Sequence, residues 1–274
     1  MESSAWRCGS HVCAEIICEK SLAKPKAPVY CCNRKGYNKQ RSILRELQEF
    51  MEKEGRNMNV LLIGATGYAG SAILSELVSR GHTVTAVVRN AAKLSASDSV
   101  KPVEADATDP EVLAGLASGK DAVISAYNPG WKNPRLYEDT LENYPKIVEG
   151  VRASGVKRLL IVGGAGTLFV KPGVRLIDTG TLPAEWLPGV KSLGEFYLNY
   201  LTKVKDIDWV FLSPAGNLGN LQKGERTGKY RVGKDDMLFD EKGNSFISVE
   251  DYAVAMVDEL EKPQHHFERF TVAY

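Results

Sequence analysis

The chain has 274 residues, of which 43% are hydrophobic and 25% are charged, and its formal net charge is +1. These values are typical of a globular protein of one or two domains that buries a full core. The near-zero charge gives no argument for binding to nucleic acid or to an anionic membrane. No apolar run approaches the roughly 18 residues that span a bilayer, and no secretory signal pattern is present, so the cytoplasm is the expected location.

We expect residues 1–57 to form an N-terminal extension that is distinct from the body of the protein. The cysteines all lie within it, at Cys8, Cys13, Cys18, Cys31 and Cys32. A metal or redox module is one interpretation, but no C-x-x-C pair is present and only His11 lies nearby, so the spacing does not match a zinc site. We therefore expect no metal and an unstructured leader. One short amphipathic helix is predicted at its end, from the helical spacing of Ile43, Leu44, Leu47, Phe50 and Met51.

The start of the body suggests a hypothesis about translation. The segment KEGRNM, Lys53 to Met58, can be encoded with AAGGAGG shortly before the methionine codon, which resembles a bacterial ribosome-binding site. Met58 also stands directly before the first predicted strand. We hypothesise that translation naturally starts at Met58, and a native intact mass that includes residues 1–57 would contradict this.

Residues 58–274 alternate between predicted strands and predicted helices, which is typical of a single α/β domain with a doubly wound parallel sheet, the Rossmann fold. The main strands are predicted at NVLLIG, HTVTAVVR, SVKPVEAD, DAVISAY, VKRLLIVGG and IDWVFLSP, with short ones at KYRVG, MLFD and RFTVAY. The helices are predicted at GSAILSELVSRG, PEVLAGLASG, RLYEDTLENYPKIVEGVRASG, KSLGEFYLNYLTKV and VEDYAVAMVDELEK. We expect Asp109 to cap the second of these helices. Pro145 should kink the third or start its second part.

The segment GATGYAG joins the first strand to the first helix and places glycines at positions 64, 67 and 70. In such a turn the first glycine permits the tight bend, the second lets the backbone approach a pyrophosphate, and the third lets the helix pack on the strand. The amides of the helix N-terminus then bind the phosphates. The spacing differs from the standard G-x-G-x-x-G, and a turn without a ligand is the alternative. We expect a dinucleotide to contact Gly64, Thr66, Gly67, Tyr68, Ala69 and Gly70.

The end of the second strand indicates which dinucleotide binds. An acidic residue there binds the ribose 2′-hydroxyl of NAD, whereas an arginine accommodates the 2′-phosphate of NADP. The strand ends AVVRN, with Arg89 and then Lys93, and has no carboxylate at that point. NADP(H) is therefore favoured over NAD(H). The alternative is that Arg89 stacks on adenine or lies in solvent.

Three further strand ends should line the same crevice, because ligands of doubly wound sheets bind beyond the carboxyl ends of the strands. Asp106 and Ala107 follow the third strand and could contact the adenine, although Asp106 equally suits a loop cap. Thr167 follows the fifth strand, near the expected nicotinamide. The remaining predicted cofactor contacts are Ser125, Ala126, Tyr127, Gly163 and Gly164.

Motifs throughout residues 58–274 resemble the atypical short-chain dehydrogenase/reductases known as NADH-flavin reductases, which are related to NmrA-like proteins and biliverdin reductase B. The motifs are IGATGYAG, VVRN, EADATD, LLIVGGAGTL, FLSPAGNL, ISVEDYAVAMVDELEKP and RFTVAY. The resemblance stops at the N-terminal extension. It implies a Rossmann fold and an NAD(P)H-dependent reductase whose partner is a small flat acceptor such as a flavin or a quinone.

Catalytic short-chain dehydrogenases use a Tyr-x-x-x-Lys pair, and neither tyrosine of the predicted helix KSLGEFYLNYLTKV starts one, as in members of the resembled subgroup. Tyr197 is followed four residues later by Leu201 and Tyr200 by Val204, while Lys203 is only three residues after Tyr200. The tyrosine normally gives a proton to the developing alkoxide, so its loss argues against alcohol dehydrogenases and sugar epimerases. Hydride transfer to an electron-poor ring needs positioning, and water can supply the proton.

Two classes of function remain open. The first is a reductase of flavin-like or quinone-like acceptors, which the small residues Gly163 to Gly166 favour because a substrate needs room there. The second is a non-catalytic NADP(H) sensor, as NmrA-like relatives suggest, which the missing Tyr-Lys pair favours. Tyr127 and Thr167 are candidate proton relays, and Trp186 is a candidate wall for a flat acceptor. Each of these three also has a purely structural interpretation.

Overall fold

The structure is a computed structural model that describes residues 57–219 and 224–274. The cysteines and the amphipathic helix predicted in the N-terminal extension lie outside these ranges. Within them, no helix is long and apolar enough to cross a membrane. The same ranges contain no group of three or more His, Cys, Asp or Glu side chains that could hold a metal ion.

Strands and helices alternate along the described chain as the apolar periodicity predicts. The strands are β1 (Asn59–Ile63), β2 (Thr83–Val88), β3 (Val100–Glu104), β4 (Ala122–Ser125), β5 (Arg158–Val162), β6 (Phe169–Lys171), β7 (Val174–Arg175), β8 (Asp208–Ser213), β9 (Asn217–Leu218), β10 (Arg231–Gly233), β11 (Phe246–Ile247) and β12 (Glu268–Ala273). The α-helices are α1 (Tyr68–Ser79), α2 (Pro110–Ala117), α3 (Leu136–Ser154), α4 (Leu187–Asn199) and α5 (Val249–Glu261).

The central sheet has eight strands in the order β10-β12-β8-β5-β4-β1-β2-β3. Every neighbouring pair is parallel except β10 with β12. The strand order reverses at β1, which lies between β2 and β4. The predicted doubly wound sheet is therefore confirmed, and the ligand crevice of such a fold opens at this reversal.

Helices cover both faces of the sheet, which explains why β1 is continuously apolar. Val60 and Leu62 belong to the core under α1 and α5, whereas Leu61 and Ile63 belong to the core under α2, α3 and α4. Because β1, β2, β3 and β4 pair in parallel, their carboxyl ends lie at one edge of the sheet.

The predictions about helix caps and helix starts are partly confirmed. Asp109 caps α2, since its Oδ1 accepts hydrogen bonds from the amides of Glu111 and Val112 at 3.0 and 3.2 Å. The expected second start at Pro145 is wrong, because α3 is one continuous helix through that residue. The buried face around the proline, which includes Tyr144 and Ile147, keeps the helix in place despite the missing amide hydrogen.

Two boundary predictions also fail. MLFD is not a strand, and the chain there makes only an isolated bridge between Asp236 and Phe169. Its residue Met237 is nevertheless buried, so its apolar character reflects packing of a loop. Helix α4 begins at Leu187, four residues before the predicted Lys191, with a proline in its first turn as helix starts favour.

Candidate functional site

The turn between β1 and α1 is built on glycines. Gly64 has a φ of +78°, which disfavours any side chain, and a Cβ atom there would lie 2.5 Å from the carbonyl oxygen of Ala126. The amide of Gly67 donates to the carbonyl of Gly64 at 2.9 Å and closes the turn. Helix α1 starts directly afterwards at Tyr68, and helix N-termini commonly bind anions.

Gly67 differs from its neighbours because its backbone is ordinary. Its φ is −77° and its ψ is 172°, which any residue adopts, and a Cβ atom there would meet the carbonyl oxygen of Gly64 at 3.2 Å as its nearest neighbour. A side chain at this position therefore needs the Gly64 carbonyl to shift by a few tenths of an ångström, a much smaller adjustment than a side chain at Gly64 would need. Close approach of a ligand is the requirement that would exclude one, so this turn fits a pyrophosphate.

A pocket of about 750 Å³ opens at the carboxyl ends of β1 to β4. It is large enough for a substantial part of a dinucleotide, since ligand pockets commonly measure about 300–1,000 Å³. The predicted site residues that line it are Gly64, Thr66, Gly67, Arg89, Asp106, Ala107, Ala126 and Tyr127.

The other predicted contacts do not line this pocket in the described part of the chain. Ser125 is fully buried at the end of β4, and its Oγ has no hydrogen-bond partner among the described residues. A Cβ atom at Gly163 would lie 2.5 Å from the Phe211 ring, so packing alone requires that glycine. The predicted contacts outside the lining are Tyr68, Ala69, Gly70, Ser125, Gly163 and Gly164.

The end of β2 carries two cations and, unexpectedly, a carboxylate. Arg89 and Lys93 are exposed, line the pocket and form no ion pair within the described residues. The sequence shows no acid at the end of β2, but the parallel pairing of Val88 with Glu104 brings the last residue of β3 to the same place. Glu104 also lines the pocket. The register of neighbouring parallel strands was the signal that could have found it.

Asp106 is a loop cap that also lines the pocket, and its predicted contact with the cofactor stays a prediction. Its Oδ1 accepts hydrogen bonds from the amide and the hydroxyl of Thr108, at 2.8 and 2.7 Å, which is the geometry of a loop cap. These hydrogen bonds hold the pKa of the Asp106 carboxyl below its usual range. The side chain also lines the crevice, so the cap fixes a carboxylate at its rim.

Tyr127 lies half-buried in the crevice after β4. Its hydroxyl accepts a hydrogen bond from the Asn143 side chain at 2.8 Å, and its ring packs edge-on against Tyr144 with centroids 5.5 Å apart. Burial raises the pKa of Tyr127, so its hydroxyl stays protonated at neutral pH. The residues after β4 that line the crevice and that sequence reasoning missed are Asn128, Pro129, Asn133, Asp139 and Asn143.

Thr167 and Trp186 occupy different environments. Thr167 is buried, and its hydroxyl accepts a hydrogen bond from the Arg269 guanidinium at 2.7 Å. That guanidinium also pairs with Asp235. Trp186 is 44% exposed at the start of α4. The hydroxyl of Thr167 is thus engaged inside the protein, whereas Trp186 keeps an open face.

Tyr197 in α4 and Tyr200 directly after it both contact other side chains of the protein. Tyr197 is 8% exposed and its ring stacks on Phe211 with centroids 4.8 Å apart. Tyr200, which follows the helix, donates its hydroxyl proton to Glu149 at 3.3 Å. Neither tyrosine lines the crevice in the described part of the chain.

The chain matches a family model described as NAD(P)H-binding over residues 64–263. It is 42% identical to the uncharacterised protein YwnB of Bacillus subtilis over 78% of this chain and 98% of that protein. It is similar to a "putative epimerase" of Bacteroides thetaiotaomicron, with 52% identity, coverage of 80% and 98% of the two chains, and a TM-score of 0.74. It is also similar to a "putative NADH-flavin reductase" of Streptococcus pneumoniae, with 37% identity, coverage of 79% and 99%, and a TM-score of 0.67.

The family model spans most of the chain, from the glycine turn to the end of α5. The similar solved structures cover about four fifths of the chain with the same fold. These findings agree with the resemblance to atypical short-chain dehydrogenase/reductases. The chain belongs to the NAD(P)H-binding family of Rossmann-fold proteins.

Proposed function

We propose that the protein is an NAD(P)H-dependent reductase that transfers a hydride to a flat conjugated acceptor, flavin-like or quinone-like. The observation that carries the proposal is a contrast within the site. A crevice of suitable size for a dinucleotide opens at the ends of β1 to β4, whereas Tyr197 is packed into the core and Tyr200 contacts Glu149. The site thus provides for a cofactor and lacks the usual proton donor for ketone reduction.

The relatives bear two kinds of name, and the site favours a reductase over an epimerase. One relative at 37% identity bears the name "putative NADH-flavin reductase", and another at 52% bears the name "putative epimerase". Epimerisation in the short-chain dehydrogenase superfamily depends on the Tyr-Lys pair, which is missing from α4. Reduction of an electron-poor ring does not depend on this pair, so the site supports a reductase.

The residues of the crevice have separate tasks in this proposal. A bound nicotinamide supplies the hydride. The glycine turn and the first turn of α1 bind the pyrophosphate, and Arg89 with Lys93 attracts a 2′-phosphate, which favours NADP(H) over NAD(H). Tyr127 stays protonated beside Asn143 and orients the ribose side of the cofactor, while water protonates the reduced acceptor.

The test is oxidation of NADPH and NADH at 340 nm with FMN, riboflavin and a quinone, with a simple ketone as the negative control. We expect turnover with at least one of the three conjugated acceptors and none with the ketone. The Gly67→Val variant is the control, because we expect it to fold but not to bind the pyrophosphate of the cofactor. Tight NADPH binding without oxidation by any conjugated acceptor would contradict the reductase and favour a non-catalytic NADP(H) sensor.

A further inference from the structure

The carboxylate of Glu104 lies where the sequence shows only positive charge. Strands β2 and β3 are parallel, and their register places Glu104 beside Val88, the residue that precedes Arg89. The side chain of Glu104 accepts a hydrogen bond from the amide of Ala91 at 3.1 Å. This amide belongs to the turn that carries both Arg89 and Lys93, so the Glu104 carboxylate is hydrogen-bonded to the segment that carries the two cations.

These groups share the lining of the crevice, and Glu104 neutralises neither cation by direct contact. Arg89 and Lys93 have no ion pair within residues 57–219 and 224–274, while Glu104 is bound to a backbone amide. All three side chains are exposed to the crevice. A phosphate entering there meets two cations that form no ion pair with a described residue, and one anion that is hydrogen-bonded to the backbone.

We infer that Glu104 is a specificity-determining residue that repels the 2′-phosphate of NADP(H). It thereby reduces the preference for NADP(H) over NAD(H) that Arg89 and Lys93 create. The inference rests on the proposed function only in assuming that this end of the crevice holds the adenosine ribose. A carboxylate repels a phosphate of charge −1.5 to −2 by the same kind of Coulomb interaction through which the two cations attract it. It does not repel a 2′-hydroxyl, which can instead donate a hydrogen bond to it.

Asp106 does not explain the same effect. Its carboxylate lies near the start of the loop after β3 and is held by two hydrogen bonds from Thr108. The carboxylate of Glu104, in contrast, bonds to the turn that carries Arg89 and Lys93. Glu104 is therefore the carboxylate whose removal should act on the phosphate.

The substitution Glu104→Gln tests this with little structural change, because the amide oxygen of glutamine can still accept the hydrogen bond of Ala91. The probes are 2′,5′-ADP and ADP, measured by calorimetry at low salt, so that the readout does not depend on turnover. We expect Glu104→Gln to bind 2′,5′-ADP about threefold to tenfold more tightly than the wild type, and the gain to shrink at high salt. Binding of ADP should change by less than about twofold, since it lacks the 2′-phosphate.

The matched control is Glu241→Gln, which removes one exposed carboxylate outside the crevice lining. It should leave the affinity for both probes unchanged. Equal gains for 2′,5′-ADP and ADP, or no gain for 2′,5′-ADP, would overturn the assignment of Glu104. A wild type that binds the probes but oxidises no NADPH would instead contradict the reductase and leave this measurement valid.

Discussion

Helix α1 packs so closely on the turn before it that a Cβ atom at Gly70 would lie 2.1 Å from the carbonyl oxygen of Gly64. The obstacle is backbone, which cannot move aside as a flexible side chain can. Gly67, three residues earlier, has no comparable obstacle. The two glycines of one motif therefore have different requirements: the fold requires Gly70, whereas we propose that a ligand requires Gly67.

The glycine prediction separates these requirements. Gly70→Ala should lower the free energy of unfolding by about 2 kcal/mol or more, because the helix must move away from the turn. Gly67→Val should lower it by about 1 kcal/mol at most, yet abolish measurable NADPH binding, because its side chain occupies the approach of the pyrophosphate. Urea unfolding and calorimetry measure the two effects. Equal NADPH affinity in Gly67→Val and the wild type would refute the ligand role.

Arg89→Ala tests the choice of cofactor. Charge-assisted hydrogen bonds contribute about 1.5–3 kcal/mol, so we expect NADPH binding to weaken roughly tenfold or more. NADH has no 2′-phosphate, and its affinity should barely change. Calorimetry with both cofactors distinguishes the outcomes. If both weaken alike, Arg89 contacts the adenine or supports the crevice by packing.

Tyr127→Phe tests whether a protein hydroxyl supplies the proton. The Asn143 amide donates to this hydroxyl at 2.8 Å, and burial raises the pKa of Tyr127 above 10.0. If water protonates the acceptor, kcat in Tyr127→Phe should stay within about threefold of the wild type, and the pH profile should be flat from about pH 6 to pH 9. A fall in kcat of about a hundredfold or more with unchanged NADPH affinity would instead identify Tyr127 as the acid.

Alkaline pH should destabilise the fold through buried tyrosines. Tyr144 and Tyr252 are fully buried, and their hydroxyls donate to the carbonyls of Tyr127 and Leu212 at 2.8 and 2.7 Å. Burial raises the pKa of both above the ordinary value of 10.0. A raised folded-state pKa gives a stabilising contribution that is complete below the unfolded pKa and is lost as the pH rises above it. Urea midpoints should therefore decline above about pH 10, and a constant midpoint up to pH 11 would contradict this.

A chain that begins at Met58 should fold and bind NADP(H) as the full chain does. The first strand, the glycine turn and every crevice residue follow that position. The competing possibility is that the apolar residues Ile43, Leu47 and Phe50 cover part of the body. At about 25 cal/mol per Å² of buried apolar area, such docking would add a few kcal/mol. Thermal melts of the two chains decide, and a large drop in Tm on shortening would contradict the independence of residues 58–274.

The sequence by itself determined the class of fold and the location of the crevice. Continuous apolar strands, amphipathic helices and a glycine turn are local patterns, and the alternation of strand and helix admits few topologies. The boundary errors at MLFD and at the start of α4 arose where apolar residues pack without following a strand or helix period. Pro145 stays inside α3 because tertiary packing outweighs the loss of one backbone hydrogen bond.

Only the tertiary structure decided which residues share the crevice. The sequence showed Arg89 without a nearby acid, but the register of β2 and β3 places Glu104 beside it although the two residues are 15 positions apart in the chain. In the same way, the packing of α3 brings Asn143 to Tyr127, and the β12 residue Arg269 reaches Thr167. Contacts that arise from strand register or helix packing cannot be predicted from local sequence patterns. The electrostatics of the cofactor site therefore had to be established in three dimensions.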